Sequence, residues 1–183
     1  MRKLVLQMQV SIDGFVAGPE GQLDWIFPDF DESYTKWTVE KLSQAGAHVM
    51  GRATYEDMAA HWPTSTAPFA APMNRIPKLV FSNTLKDASW GETRIVAGDF
   101  RAELGRLKSE AGKELLVHGG ARFARALVGA GLIDEYRLVE HPVALGRGLS
   151  IFSRLESPTR LTVTEAITFN SGAAAKVYRP TGR

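Results

Sequence analysis

The chain of 183 residues contains no cysteine. That absence rules out disulfides, thiolate catalysis and cysteine-ligated zinc. Charge is nearly balanced: 22 Lys and Arg against 20 Asp and Glu leave a formal net charge of +2, with no clustered basic stripe. Nucleic acid is therefore not an expected partner. Long hydrophobic runs are missing as well. Met1-Arg2-Lys3 leads straight into a β-like stretch over 4–12, too short and too polar for a signal peptide or a membrane helix. The expectation is a cytoplasmic protein without a membrane partner. His48, His61, His118 and His141 are scattered without metal-ligand spacing, so no metal is expected. Neither G-x-G-x-x-G nor the Walker pattern occurs, which speaks against ordinary Rossmann and P-loop sites. With no repeat, heptad pattern, low-complexity segment or linker, 1–183 reads as one domain with its own core.

What is present alternates. Residues 4–12 read as a strand, and Asp13-Gly14 turns the chain. Gly18-Pro19-Glu20-Gly21 opens a loop that carries Trp25, Phe27 and Phe30. Asp31 or Ser33 can cap a helix running to about Gln44, in which Trp37, Val39, Leu42 and Ala45 recur at roughly helical spacing. Short strands are predicted at 47–50, 78–82, 93–97, 114–117 and 133–139. Helices are predicted at 54–60, 100–111 and 121–128, with Leu104 and Leu107 inward in the second. The stretch 61–77, rich in Pro, Thr, Ser and Ala, reads as a surface loop. Residues 159–169 and 173–178 are β-like around Asn170-Ser171-Gly172, a hairpin signal. The pattern predicts an α/β fold: a mixed, mostly parallel sheet, helices on both faces, and an antiparallel C-terminal hairpin.

Two corners carry chemistry. Val49-Met50-Gly51-Arg52-Ala53-Thr54 and Leu116-Val117-His118-Gly119-Gly120-Ala121-Arg122 each join an apolar run to a helix through glycine. Such a corner presents free backbone N–H groups at the positive end of a helix dipole, which attracts phosphate oxygens. Two of them in one domain could hold a pyrophosphate, with Arg52 clamping a phosphate and the Thr54 hydroxyl donating to it. Taken singly, each corner is equally well a strand end and a helix cap. Ser82-Asn83-Thr84, after the strand Leu79-Val80-Phe81, could meet a ribose or its phosphate, or form only a turn. Asp13, Asp24, Asp31 and Glu32 are candidates for handling a proton; Asp13 also fits a turn and Asp31 a helix cap. His118, at a strand end before the diglycine, is expected to face a pocket.

In order, these segments resemble the dihydrofolate-reductase-like superfamily. They are closest to the C-terminal reductase domain of riboflavin-biosynthesis deaminase-reductases and its stand-alone relatives. The resemblance rests on Ser11-Ile12-Asp13-Gly14-Phe15-Val16-Ala17, Met50-Gly51-Arg52-Ala53-Thr54-Tyr55-Glu56, Val80-Phe81-Ser82-Asn83, Gly119-Gly120-Ala121-Arg122-Phe123 and the Leu-Gly, Gly and Phe of 142–152. It implies NADPH as cofactor, hydride transfer to a pyrimidine or pterin, and a homodimer. Cofactor binding would fall to Gly51, Arg52, Thr54, Ser82, Asn83, Gly119, Gly120, Ala121 and Arg122. Asp13 and Asp31 would be the catalytic candidates, and Trp25 and His118 would line the substrate pocket. The apolar residues of 142–152 would leave an edge for a second subunit, or close the monomer's own core against the hairpin. The substrate would be 5-amino-6-(5-phosphoribosylamino)uracil or a related heterocycle. Dihydrofolate reductase and a non-catalytic, dimeric nucleotide-binding protein are the alternatives.

Overall fold

In chain order the strands are β1 (Leu4–Ser11), β2 (Ala45–Gly51), β3 (Lys78–Phe81), β4 (Thr93–Val96), β5 (Glu114–His118), β6 (Glu135–His141), β7 (Leu161–Thr168) and β8 (Ala174–Pro180). The helices are α1 (Glu32–Ser43), α2 (Arg52–His61), α3 (Ala70–Arg75), α4 (Phe100–Ser109) and α5 (Ala121–Gly129), with short 3-10 turns at Asp24–Asp29 and Trp62–Thr64. The computed structural model describes residues 1–181. All eight strands form one sheet in the order β4-β3-β2-β5-β1-β6-β8-β7. The six from β4 to β6 are parallel, so their C-terminal ends share one edge. β8 pairs antiparallel with both β6 and β7, the expected C-terminal hairpin.

Each face of the sheet has its own apolar layer. Leu4, Leu6 and Met8 of β1 pack with Leu104 and Leu107 of α4 and with Ala124, Leu127 and Val128 of α5. The 124-127-128 spacing puts all three on one helical face. Burying a side chain such as Leu127 or Val128 contributes roughly 1.5–3 kcal/mol. On the opposite face Val5, Leu116, Met50 and Val80 meet Leu42 of α1, Tyr55 of α2 and Met73 of α3. Tyr34 and Trp37 of α1 cover the hairpin end with Phe169, Ala175 and Val177.

One expectation needs correction, and one open choice, that of 142–152, is narrowed. The stretch 61–77 is not a surface loop: it contains α3, and Ala70, Met73 and Ile76 are buried. Its proline is no obstacle, because Pro72 stands in the first turn, where a helix has no N–H partner to lose. The segment 142–152 does not leave an open apolar edge. Val143 accepts from the Ile12 amide, Leu149 pairs in both directions with Val16 and Ala17, and Ile151 is 1% exposed. A side chain at Gly148 would collide with the Ala17 carbonyl, so the segment closes the monomer against residues 15–17.

The end of the sheet away from the glycine corners is held by charge. Arg137, 3% exposed, forms a fork to Glu114 at 2.6 and 2.8 Å and donates from Nε to Glu135 at 3.0 Å. It also reaches Gln44 beyond the end of α1, while Arg179 and Lys3 complete the Glu135 carboxylate. β1, β5, β6, β8 and α1 thus meet at one guanidinium and one carboxylate. Replacing Arg137 by Ala would leave Glu135 buried without its main partner. The expected loss is about 3–5 kcal/mol, read as a lower urea midpoint with unchanged slope. A loss below about 1 kcal/mol would show the network to be dispensable.

Candidate active site

β3, β2 and β5 are neighbours, so their C-terminal ends bring the two predicted corners together. Gly51 ends β2 and is the extended N-cap of α2. Gly119 and Gly120 follow β5 with φ of +36° and +71°, and Gly120 is the N-cap of α5. Neither helix has a side-chain cap, which leaves its first amides for another acceptor. A Cβ on Gly120 would stand 2.6 Å from Thr54 Oγ1, and one on Gly51 would stand 3.5 Å from Phe123 Cβ. Glycine is needed at position 120 on both counts: the left-handed backbone and the approach of Thr54. Ala121 and the exposed Arg122 occupy the first turn of α5 on this rim. Free first-turn amides beside side-chain-free glycines are the chemistry that a phosphate group requires.

The wall beyond β3 is tied to the same corner. Arg52 donates from Nε to Glu56 at 2.7 Å and from Nη1 to Thr84 at 2.9 Å, so its guanidinium spans from α2 to the loop after β3. Ser82 Oγ accepts from the Thr84 and Leu85 amides, and Asn83 Oδ1 accepts from Gly98 N. Both side chains shape the loop that faces Arg52.

His118 does not open into a pocket. It is 8% exposed, and its Nε2 lies 2.7 Å from Nδ1 of the fully buried His48. His48 Nε2 faces the Pro72 carbonyl at 3.3 Å. Hydrogen bonds of this order fit two neutral rings: His48 donates to Pro72 and His118 donates to His48. Burial pushes His48 down to about 4 and His118 well below the usual histidine range. The pair fastens the diglycine corner to β2 and α3.

The two predicted catalytic acids also have other tasks. Asp31 caps α1, accepting from Ser33 Oγ and Tyr34 N at 2.7 Å each, and it accepts from Ser171 N in the hairpin turn at 2.6 Å. The Ser33 hydroxyl and then the Tyr34 amide hold it down to about 2. Asp13 accepts from Ser11 Oγ at 2.6 Å and from Leu145 and Gly146 amides, and the Ser11 hydrogen bond leads in lowering its pKa. These donors favour the ionised form of each carboxylate.

A different polar group occupies the ends of β1 and β6. His141 is fully buried, with Nδ1 2.7 Å from Asp29 Oδ2 and Nε2 2.7 Å from Gln9 Oε1. Gln9 Nε2 donates to the Tyr34 hydroxyl at 2.9 Å. The Trp25 ring meets His141 edge-on at 5.4 Å, over these strand ends rather than at the glycine corners. Sequence reasoning missed Gln9, Asp29, Tyr34 and His141. One signal was available: Gln7, Gln9 and Ser11 alternate with Leu6, Met8 and Val10, a polar row inside a buried strand. Among the described residues no group of three or more His, Asp or Glu side chains is arranged to hold a metal ion.

The sequence matches the RibD C-terminal domain over residues 2–175. The chain belongs to the RibD C-terminal domain family. It is 28% identical to the uncharacterized protein YyaP of Bacillus subtilis (strain 168), over 99% of this chain and 96% of that one. Its fold is similar to the deaminase/5-amino-6-(5-phosphoribosylamino)uracil reductase of Thermotoga maritima (TM-score 0.70, 17% identity), covering 98% of this chain and 56% of that one. It is also similar to dihydrofolate reductase from Enterococcus faecalis complexed with NADP(H) (TM-score 0.65, 16% identity), covering 98% and 97% of the two chains. This member of the RibD C-terminal family is an α/β domain of the dihydrofolate-reductase-like fold.

The histidine pair predicts how stability follows pH. An unfolded histidine takes up a proton near 6.5, whereas folded His48 does so only near 4. Between those values the unfolded chain binds more protons. Stability is therefore full above about 6.5 and falls as pH drops toward 4, by a few kcal/mol at most for this residue. Urea midpoints at pH 7 and pH 5 should show the fall. His48→Gln should have a shallower pH dependence, and an unchanged one would remove His48 as its source.

Proposed function

We propose that the protein is an NADPH-dependent reductase acting on a pyrimidine such as 5-amino-6-(5-phosphoribosylamino)uracil. The observation that carries this is the contact between the two glycine corners, with Thr54 against Gly120 and Arg52 reaching across to the loop after β3. Bound there, NADPH supplies the hydride. The backbone at Gly51, Gly119, Gly120 and Ala121 takes the pyrophosphate, and Thr54 and Arg122 bind its oxygens. Arg52, with Ser82 and Asn83, takes the 2′-phosphate. Trp25 walls the heterocycle at the ends of β1 and β6. Membership of the family and likeness to the two reductases support the assignment. No helix among the described residues is long and apolar enough to cross a membrane, and the cytoplasm, where NADPH and such substrates occur together, is the proposed location.

A charge-assisted hydrogen bond to phosphate is worth about 1.5–3 kcal/mol. Arg52→Ala is therefore expected to weaken NADPH by roughly tenfold or more and to leave NADH nearly unchanged. Equal losses would move Arg52 to the pyrophosphate. Gly120→Val should abolish binding of both cofactors while near-ultraviolet circular dichroism still reports packed aromatics; retained NADPH affinity would reduce the diglycine to a strand end. Turnover of dihydrofolate in place of the ribosylaminouracil would favour the dihydrofolate reductase alternative. NADPH binding with turnover of neither would favour a non-catalytic nucleotide-binding protein.

A homodimer is part of the proposal, with its contact moved from 142–152 to β7. That strand has a partner on one side only and exposes Val163 (52%) and Ile167 (40%). An edge with apolar side chains is commonly covered by a second copy related by a two-fold axis. Sedimentation equilibrium at micromolar concentration should give twice the 20.1 kDa chain mass, and Val163→Lys should return it to 20.1 kDa. A wild-type mass of 20.1 kDa would defeat the dimer.

A further inference from the structure

We propose that Asp29, with His141 behind it, is the proton donor of the reduction, and that Gln9 and Tyr34 are positioning residues for His141. The proposal rests on the reductase assignment above and names a part of the chemistry which that assignment leaves open.

Placement comes first. β6 runs parallel to β1 with His141 opposite Ser11, so His141 stands on the same sheet edge as Gly51 and the diglycine. The imidazole is wholly buried, while the Asp29 side chain keeps 16% of its surface. Asp29 is thus the exit of the pair. It ends a short 3-10 turn that also carries the half-buried Trp25 and the exposed Phe27, flat apolar surfaces of the kind that accompany a heterocycle.

The second observation is the proton inventory. Both ring nitrogens of His141 face oxygens, Asp29 Oδ2 and Gln9 Oε1. With the Gln9 amide in this orientation, Nε2 carries hydrogen, and one further proton lies between Nδ1 and Asp29 Oδ2, on the ring against a carboxylate or on the carboxyl against a neutral ring. Gln9, itself held by the Tyr34 hydroxyl, keeps Nε2–H in place in both forms. The proton between the pair sits at its surface-reaching end.

Neighbouring charges do not compete. From α1 the titratable neighbour is Tyr34 itself. Asp31 is taken up by Ser33, Tyr34 and Ser171. Glu140, whose side chain lies on the other face of β6, is paired with Lys176 of β8. Asp13 beyond the end of β1 holds the 145–146 amides.

The hydride pair from the dihydronicotinamide forms a C–H bond at the carbon of a substrate C=N bond, that of the opened ribosylamine. The π pair moves to nitrogen, where it takes a proton from the Asp29 carboxyl. Asp29 receives that proton from His141 Nδ1, leaving a carboxylate and a neutral imidazole. NADPH is oxidised to NADP+ and the imine is reduced to an amine. Solvent returns the proton through Asp29 after product leaves.

The test follows NADPH oxidation with 5-amino-6-(5-phosphoribosylamino)uracil across a pH series, for wild type, Asp29→Asn, Asp29→Glu and His141→Gln. NADPH affinity and thermal melts are measured on each. Asp29→Asn and His141→Gln are expected to lower kcat by about 100-fold or more, with NADPH affinity within about twofold of wild type. The wild-type rate should fall as pH rises, the variants should be nearly flat, and Asp29→Glu should recover part of kcat. Wild-type kcat and pH profile in Asp29→Asn, which does not depend on a buried substitution, would overturn the proposal alone. A wild-type protein that fails to bind NADPH, or binds it without oxidising it, would overturn the reductase assignment and this proposal with it.

Discussion

The place of β1 between β5 and β6 governs this molecule. β1 is buried on both faces and hydrogen-bonded on both sides, with Gln7 opposite His118 in one ladder and Arg137 in the other. That register aligns the diglycine after β5 with the histidine that ends β6. A slip of one residue would turn Gln7, Gln9 and Ser11 into the apolar layer of α4 and α5, and would turn Leu6 and Met8 toward α1. Gln9 and Ser11 so moved would lose their partners. The apolar layers therefore enforce the same register that the site requires.

Polar groups buried along the α1 face are distributed by task. At one end of the sheet, Arg137 and Glu135 neutralise each other and tie five elements together. In the middle, His48 and His118 stay neutral and brace the diglycine corner. At the other end, His141 meets a carboxylate that reaches the surface. What separates Asp29 from Asp13 and Asp31 is the set of donors around each. Asp13 and Asp31 collect backbone amides and serine hydroxyls that hold them ionised. The partner of Asp29 is instead the imidazole of His141.

Elements built on local periodicity were legible. The α/β alternation, the hairpin around Gly172, and Leu104 and Leu107 of α4 stand where their spacing put them. The glycine corners were legible because an apolar run ending in glycine before a helix describes a backbone shape by itself. The stretch 61–77 was misread because proline was taken as a loop marker, although in the first turn of α3 it costs no hydrogen bond. The segment 142–152 left two readings open for a different reason: its apolar residues show that something must cover them, not that residues 15–17 of the same chain lie against them.

The sequence by itself determined most of the strands and helices, which glycines stand between a strand and a helix, and which chemistries lack their residues. Those are properties of neighbours along the chain, decided by backbone freedom, side-chain period and composition. Tertiary structure alone decided which acids meet backbone amides and serine hydroxyls and which one meets a histidine. Asp29 and His141 are 112 positions apart, and His48 and His118 are 70 apart. Their protonation depends on burial and on hydrogen-bond partners brought in by parallel strand pairing, and no local pattern encodes a partner at that distance.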